Sequence, residues 1–254
     1  MIDTHSHLFD KAFEVDLEAC IKRCIDENVN KVVLVGFSHE TNQKAFDMAK
    51  KYNLFYPTAG LHPSEATKDY QRDLGELEVF VKSHKVYAIG ECGLDYHYGK
   101  ENVEEQRLLF EGQVNLAIKY NLPLIIHMRD ATADTFNILK KYQGKIRGVM
   151  HCYSGSYEMA KEFINLGFMI SFGGPLTFKN AKENKYIVEN IDLKYILTET
   201  DCPYLAPTPY RGKRNESSYV KNVLIEIACL KNMSFEEVER ITEANAIKLF
   251  NLEV

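Results

Sequence analysis

Short apolar runs alternate with amphipathic ones along this chain, and that rhythm constrains its fold more than any other feature. Strand-like runs occupy residues 1–7, 31–37, 54–61, 86–93, 123–128, 146–153, 168–172 and 195–200. Helix-like stretches separate them at 16–28, 41–52, 74–83, 103–120, 131–142, 157–166 and 181–190, and two more, 218–230 and 235–250, close the chain. Strands that are apolar on both faces, each followed by a helix, belong in a parallel sheet covered by helices. A count of eight favours closure into an α/β (β/α)8 TIM barrel over an open doubly wound sheet. No G-x-G-x-x-G follows any of the runs, so the open sheet lacks its dinucleotide-binding fingerprint. Ser234 and Glu237 predict a capping box at the start of the last helix.

The chain has 254 residues, 45% hydrophobic and 26% charged, enough for one core and one domain over 1–254. Its longest apolar stretches are only strand-length, and Met1-Ile2-Asp3 enters structure without a basic leader, so a cytoplasmic protein is expected. The six cysteines form no C-x-x-C pair and are expected to stay reduced, with Cys92, Cys152 and Cys202 as packing residues. A net charge of −5 argues against a broad basic nucleic-acid surface. It leaves room for local positive charge, for which Arg129 and the loop Arg211-Gly-Lys213-Arg214 are candidates.

His5-Ser-His7 lies at the end of the first run. Alternation along a strand points both imidazoles the same way, as needed to grip one divalent ion. Glu91, His127, His151 and Asp201 fall at the ends of later strand-like runs, and a barrel gathers strand ends at one mouth. Any one of these six is an ordinary polar residue; their convergence makes a site. Nitrogen and oxygen donors of this kind suit Zn2+, Mn2+ or Mg2+. The expected arrangement has His5, His7 and Asp201 on one ion, His127 and His151 on a second, and Glu91 bridging both. Two ions so held favour hydrolysis, with Asp201 placed to orient the attacking water or accept its proton.

Six ordered motifs carry a resemblance over almost the whole chain: Asp3-Thr-His5-Ser-His7, Gly60-Leu-His62-Pro63, Gly90-Glu91-Cys-Gly93-Leu-Asp95-Tyr96, Ile126-His127-Met-Arg129-Asp130-Ala131, His151-Cys-Tyr-Ser154-Gly155 and Glu199-Thr-Asp201-Cys-Pro203-Tyr-Leu205. Arg214-Asn215-Glu216 and Asn245-Ala246 continue it. The chain resembles the TatD family of metal-dependent deoxyribonucleases, a branch of the amidohydrolase-like barrels. The resemblance implies a distorted barrel, divalent metal, and hydrolysis of DNA phosphodiesters, often 3′ to 5′ on single strands. It implies ligand roles at His5, His7, Glu91, His127, His151 and Asp201, and places His62 near the substrate phosphate. Catalysis is then expected from Asp201, Glu91 and His62, and substrate binding from His62 and Arg129.

His39 and His97 are expected to border the groove and His84 to be structural, while Tyr96, Tyr153 and Tyr204 either stack bases or pack the rim. The implied partner is DNA, as single-stranded ends, with no membrane and no obligate protein partner. No lysine stands at the place of Glu91, which disfavours a carboxylated-lysine bridge. The alternative is an amidohydrolase, lactonase or phosphoesterase of small molecules on the same barrel.

Overall fold

The computed structural model describes residues 1–99 and 101–253. Strands β1 (Ile2–Ser6), β2 (Lys31–Leu34) and β3 (Phe55–Pro57) form one parallel ladder. A second contains β4 (Ile89–Asp95), β5 (Leu124–Arg129), β6 (Gly148–Met150), β7 (Phe168–Phe172) and β8 (Ile196–Thr198), again all parallel. Single bridges, Ala59 with Ile89 and Ser6 with Cys202, join the ladders on both sides. The result is a barrel closed at two thin seams, the expected distorted form.

Helices α1 (Leu17–Asp26), α2 (His39–Lys51), α3 (Tyr70–Ser83), α4 (Val103–Tyr120), α5 (Thr132–Lys140), α6 (Tyr157–Asn165) and α7 (Lys182–Asn190) follow the first seven strands in turn. After β8 come α8 (Val220–Lys231) and α9 (Phe235–Phe250). No described helix is long and apolar enough to cross a membrane. Alternation sorts the strand side chains into two cores. Val32, Leu34, Leu124, Ile126, Phe168 and Ile170 pack with the helices. Ile2, Val33, Tyr56, Ile125, Val149, Met169 and Leu197 fill the barrel itself and meet Ala246, Leu249 and Phe250 of α9, which plugs its floor. Asn245 fastens that plug by donating to the carbonyls of Leu193 and Ile196, both at 2.9 Å. With the floor apolar, the polar residues are left to the opposite end.

Several strands are shorter than the sequence predicts, for one reason. Apart from the single Ala59 bridge, the runs 54–61 and 146–153 form ladders only over Phe55–Pro57 and Gly148–Met150, because the chain leaves the ladder where it reaches the mouth. β4 differs in the other direction, running past Glu91 to Asp95. Irregularities in the ladder fall between Asp3 and Ser6 and between Ile89 and Cys92, so they bracket His5 and Glu91. Such bulges re-aim side chains beside functional sites. Gly60 permits the close approach at the β3–β4 seam, since a Cβ there would lie 2.6 Å from the Cα of Gly90. Ser234 caps α9 by accepting from the Glu237 N–H at 3.2 Å, and a full reciprocal capping box joins Ser38 and Thr41 at α2.

The segment after β8 is pinned from below. Asn215, fully buried, donates to the carbonyls of Thr200 and Tyr204, both at 2.7 Å, and so brackets Asp201. Arg214 does not add charge to the mouth as its position in the basic loop suggested. It grips both oxygens of Asp16 at 2.6 and 2.7 Å and lies over the Phe13 ring. Arg211 is likewise laid over Phe178. Arg23 of α1 forks onto Glu216, with both contacts at 2.7 Å.

Burial pushes the Glu216 carboxyl up, but the Arg23 guanidinium and the Ser218 hydroxyl outweigh it and hold it below the usual range. A depressed folded-state value contributes stability that is present above the unfolded value near 4.5 and is lost as pH falls through the folded one. Replacing Glu216 with Gln is expected to lower stability at neutral pH by about 2 kcal/mol. The same change should flatten the acid limb of the stability curve, as read by urea unfolding from pH 7 down to 3.

Candidate metal centre at the barrel mouth

All six predicted ligands meet in one place, distributed across both seams. His5 sits in β1 and His7 directly after it; Glu91 is in β4, His127 in β5, and His151 directly follows β6. Asp201 lies three residues beyond β8 with φ 58°, its N–H donating to the His5 carbonyl at 2.9 Å. Asp3, fully buried beneath them, accepts from the Thr200 N–H at 2.9 Å and hydroxyl at 2.6 Å and so ties β1 to the Asp201 segment. Burial pushes the Asp3 carboxyl up to about 7, against its hydrogen bonds from Ser217, Thr200 and His5.

Glu91 stands at the centre, and its two oxygens face different groups. Oε2 lies 3.4 Å from His5 Nε2 and 3.9 Å from His7 Nε2. Oε1 lies 2.9 Å from His127 Nδ1 and 3.1 Å from His151 Nε2. Asp201 Oδ1 completes the first group, 3.5 Å from His7 Nε2 and 3.8 Å from His5 Nε2. Two clusters of ligand atoms therefore form, His5–His7–Asp201 and Glu91–His127–His151, each spanning less than 4.8 Å.

The far nitrogens of three rings are held by acceptors. His7 Nδ1 meets the Val35 carbonyl at 2.8 Å, His151 Nδ1 meets Glu199 Oε1 at 3.2 Å, and His127 Nε2 meets Asp95 Oδ2 at 3.0 Å. Burial opposes charge on every ring. The facing carboxylates nevertheless raise His7 and His127 and carry His151 well above the ordinary value, whereas burial and the neighbouring His151 lower His5. Glu91 feels the same burial, but His151, His127 and His5 hold its carboxyl well below the usual range.

This donor set fits divalent cations. His5 Nε2 and His7 Nε2 face one another at 3.2 Å, and two such lone pairs share a space only around a proton or a cation. Imidazoles and carboxylates without a thiolate are the donors that Zn2+ and its neighbours take. The cysteines stay out of the cluster: all six are free, and Cys92 and Cys202 are fully buried as packing residues.

His62 sits beside Glu91, its Nε2 3.9 Å from Oε1 and its ring 4.4 Å from that of His127. The backbone N–H of Ser64 donates to its Nδ1 at 3.1 Å. A backbone N–H only donates, so Nδ1 is the acceptor and the neutral ring carries its proton on Nε2, toward the centre. Burial lowers His62 to about 4, which keeps it neutral at pH 7.

The rim residues divide. Arg129 makes no ion pair with Asp130; its guanidinium lies 5.2 Å above the Tyr98 ring, and Asp130 pairs with His97 at 3.0 Å. Tyr153 is buried and Tyr96 bonds Asp134 through its hydroxyl, so both pack, while Tyr204 is exposed. His39 turns to Glu76 of α3, 3.6 Å away, and His84 stacks on Phe80 as a structural residue.

Sequence reasoning assigned no role to Asp95, Glu199 or Tyr98. The first two carry a legible signal: Asp95 stands four residues from Glu91 and Glu199 two from Asp201, the even spacing that made His5 and His7 a pair. Tyr98, exposed at the rim, carries no such pattern.

A parallel barrel whose strand ends gather four histidines, three of them buried, around a central glutamate has the architecture and donor set of a metal-dependent hydrolase. The family model of TatD-related DNases matches residues 2–251. An uncharacterized metal-dependent hydrolase of Bacillus subtilis, YabD, is 46% identical over 253 residues, covering 99% of each chain. Another, from Methanocaldococcus jannaschii, is 36% identical over 251 residues, covering 98% of this chain and 96% of its own. The crystal structure of YjjV, a TatD homologue of Escherichia coli K12, superposes with a TM-score of 0.94 at 29% identity, covering 100% of this chain and 98% of its own. The chain belongs to the TatD-related family of metal-dependent hydrolases.

Metal-stripped protein titrated with Zn2+ is expected to melt at a higher temperature as free Zn2+ rises, because a ligand bound only to the folded state stabilises by RT ln(1 + [L]/Kd). Replacing Glu91 with Ala should abolish part of that rise and lower the metal retained after desalting, measured by elemental analysis. Full metal content in the variant would remove Glu91 from the ligand set.

Proposed function

We propose that this protein is a deoxyribonuclease that hydrolyses DNA phosphodiester bonds, trimming single strands from the 3′ end, with two divalent ions at the barrel mouth. One observation carries the reading: Glu91 presents Oε2 to His5 and His7 and Oε1 to His127 and His151, the placement of a carboxylate shared by two cations. His5, His7 and Asp201 would hold the first ion and His127 and His151 the second. Bound ions supply Lewis acidity, lowering the pKa of water and neutralising charge on attacking and leaving oxygens. The family description, TatD-related DNase, supports the substrate class.

The chain's own groups have distinct tasks in this reading. Asp201, 3.5 Å from His7 Nε2 in the first group, orients the attacking water and takes its proton. Neutral His62 donates its Nε2–H to a non-bridging phosphate oxygen. It cannot serve as a base, because its other nitrogen is occupied by the Ser64 N–H. Arg129, unpaired with any carboxylate among the described residues and braced on Tyr98, offers forked donors to a phosphate. Exposed Tyr204 gives a neighbouring base a face to stack on. With Arg214 and Arg211 engaged by Asp16 and Phe178 and a net charge of −5, binding is weak and salt-sensitive, as suits a trimming enzyme. The free cysteines accord with work in the cytoplasm.

End-labelled single-stranded DNA incubated with metal-stripped protein refilled with Mg2+, Mn2+ or Zn2+ tests this. The expected result is a ladder shortening from the 3′ end, a loss of about 100-fold or more with Asp201→Asn, and partial activity in His62→Gln, whose amide still donates, against a larger loss in His62→Ala. No cleavage with any ion, together with hydrolysis of a lactone, amide or small phosphoester, would transfer the assignment to a small-molecule hydrolase.

A further inference from the structure

We propose that Asp95, clamped from α4 by Gln106, is a positioning residue that fixes which nitrogen of His127 carries a proton and thereby prepares the second metal position. The inference rests on the two-ion reading above and extends it to residues outside the ligand set.

His127 is held between two carboxylates, Nδ1 2.9 Å from Glu91 Oε1 and Nε2 3.0 Å from Asp95 Oδ2. A ring in that position can coordinate through Nδ1 only while Nε2 keeps its proton, and a carboxylate accepting from Nε2 enforces that form. Asp95 is itself fully committed. Its Oδ1 accepts the backbone N–H of His97 at 2.9 Å. Its backbone N–H donates to Gln106 Oε1 at 2.9 Å, and its carbonyl accepts from Gln106 Nε2 at 3.0 Å. Gln106, buried on α4, gives its second Nε2 hydrogen to Asn102 Oδ1 at 3.0 Å. A chain of hydrogen bonds thus runs from a barrel helix to the ring beside Glu91, and every donor and acceptor in it has one orientation.

That fixed polarity makes the role testable by an isosteric change. Both groups facing the Asp95 carboxylate, the His97 N–H and the His127 Nε2–H, are donors. An asparagine can satisfy only one with its oxygen, and the immovable one is the backbone N–H. Its NH2 then faces Nε2, which must lose its proton to accept, and the ring's proton moves to Nδ1, where it blocks coordination.

Zn2+ titration of metal-stripped wild-type and Asp95→Asn proteins against a chelating indicator, with 15N NMR of the histidine rings, decides the matter. Wild type should take up two equivalents and keep His127 Nε2 protonated with and without Zn2+. Asp95→Asn should bind its first Zn2+ as wild type does, bind the second about 10- to 100-fold more weakly, and show an unprotonated Nε2. Equal second-site affinity with Nε2 protonated in both proteins overturns the inference alone. A single equivalent in wild type overturns the two-ion reading and the inference with it. Should Asp95→Asn fail to fold, Gln106→Leu releases the clamp without touching His127, and a second-site affinity unchanged in that variant is equally fatal.

Discussion

A buried carboxylate in need of countercharge organises this molecule. Glu91 is 6% exposed, and among the described residues its ion-pair partners are all histidines: His5, His7, His62, His127 and His151. Burying a charge without close partners costs several kcal/mol. Lysine or arginine would meet that cost permanently and leave nothing for chemistry. Imidazoles meet it conditionally, by holding protons or by holding cations, and that exchange is what a metal centre at the mouth of the barrel requires.

The thin places in the barrel coincide with this demand. The Ser6–Cys202 seam lies between β1, which carries His5 and leads into His7, and the segment carrying Asp201; the Ala59–Ile89 seam lies between the segment leading to His62 and the strand carrying Glu91. A continuous ladder would commit the backbone at these points to regular pairing. Single bridges and bulges free it to aim side chains inward. The firmness missing from the seams is supplied by buried side chains: Asp3 on Thr200, Asn215 on Thr200 and Tyr204, and Asn245 on the floor.

Behind the candidate ligands stand three acceptors that face the other way. Val35 C=O, Glu199 and Asp95 each face the ring nitrogen that points away from Glu91. The hydrogen-bond network around Glu91 therefore extends beyond six residues and reaches α4 through Asp95 and Gln106. The barrel mouth carries less positive charge than the sequence suggests, since Arg214 turns inward to Asp16 and Arg211 lies on an aromatic ring.

The sequence by itself determined the eightfold alternation, the helices over Val103–Tyr120 and Phe235–Phe250 to their end residues, and the identity of six converging donors. Those properties are periodic or local: a pleat alternates side chains every residue, and barrel topology brings strand ends together whatever the loops do. Only the tertiary structure decided which oxygen of Glu91 faces which histidines, which way Arg214 turns, and what holds the far side of each ring. These depend on contacts between residues as distant in sequence as Asp16 and Arg214, or on one ring choosing between two acceptors. Asp95 and Glu199 lie between the two classes. Their spacing is regular enough to read, but their partners are set by where β5 and β6 deliver His127 and His151.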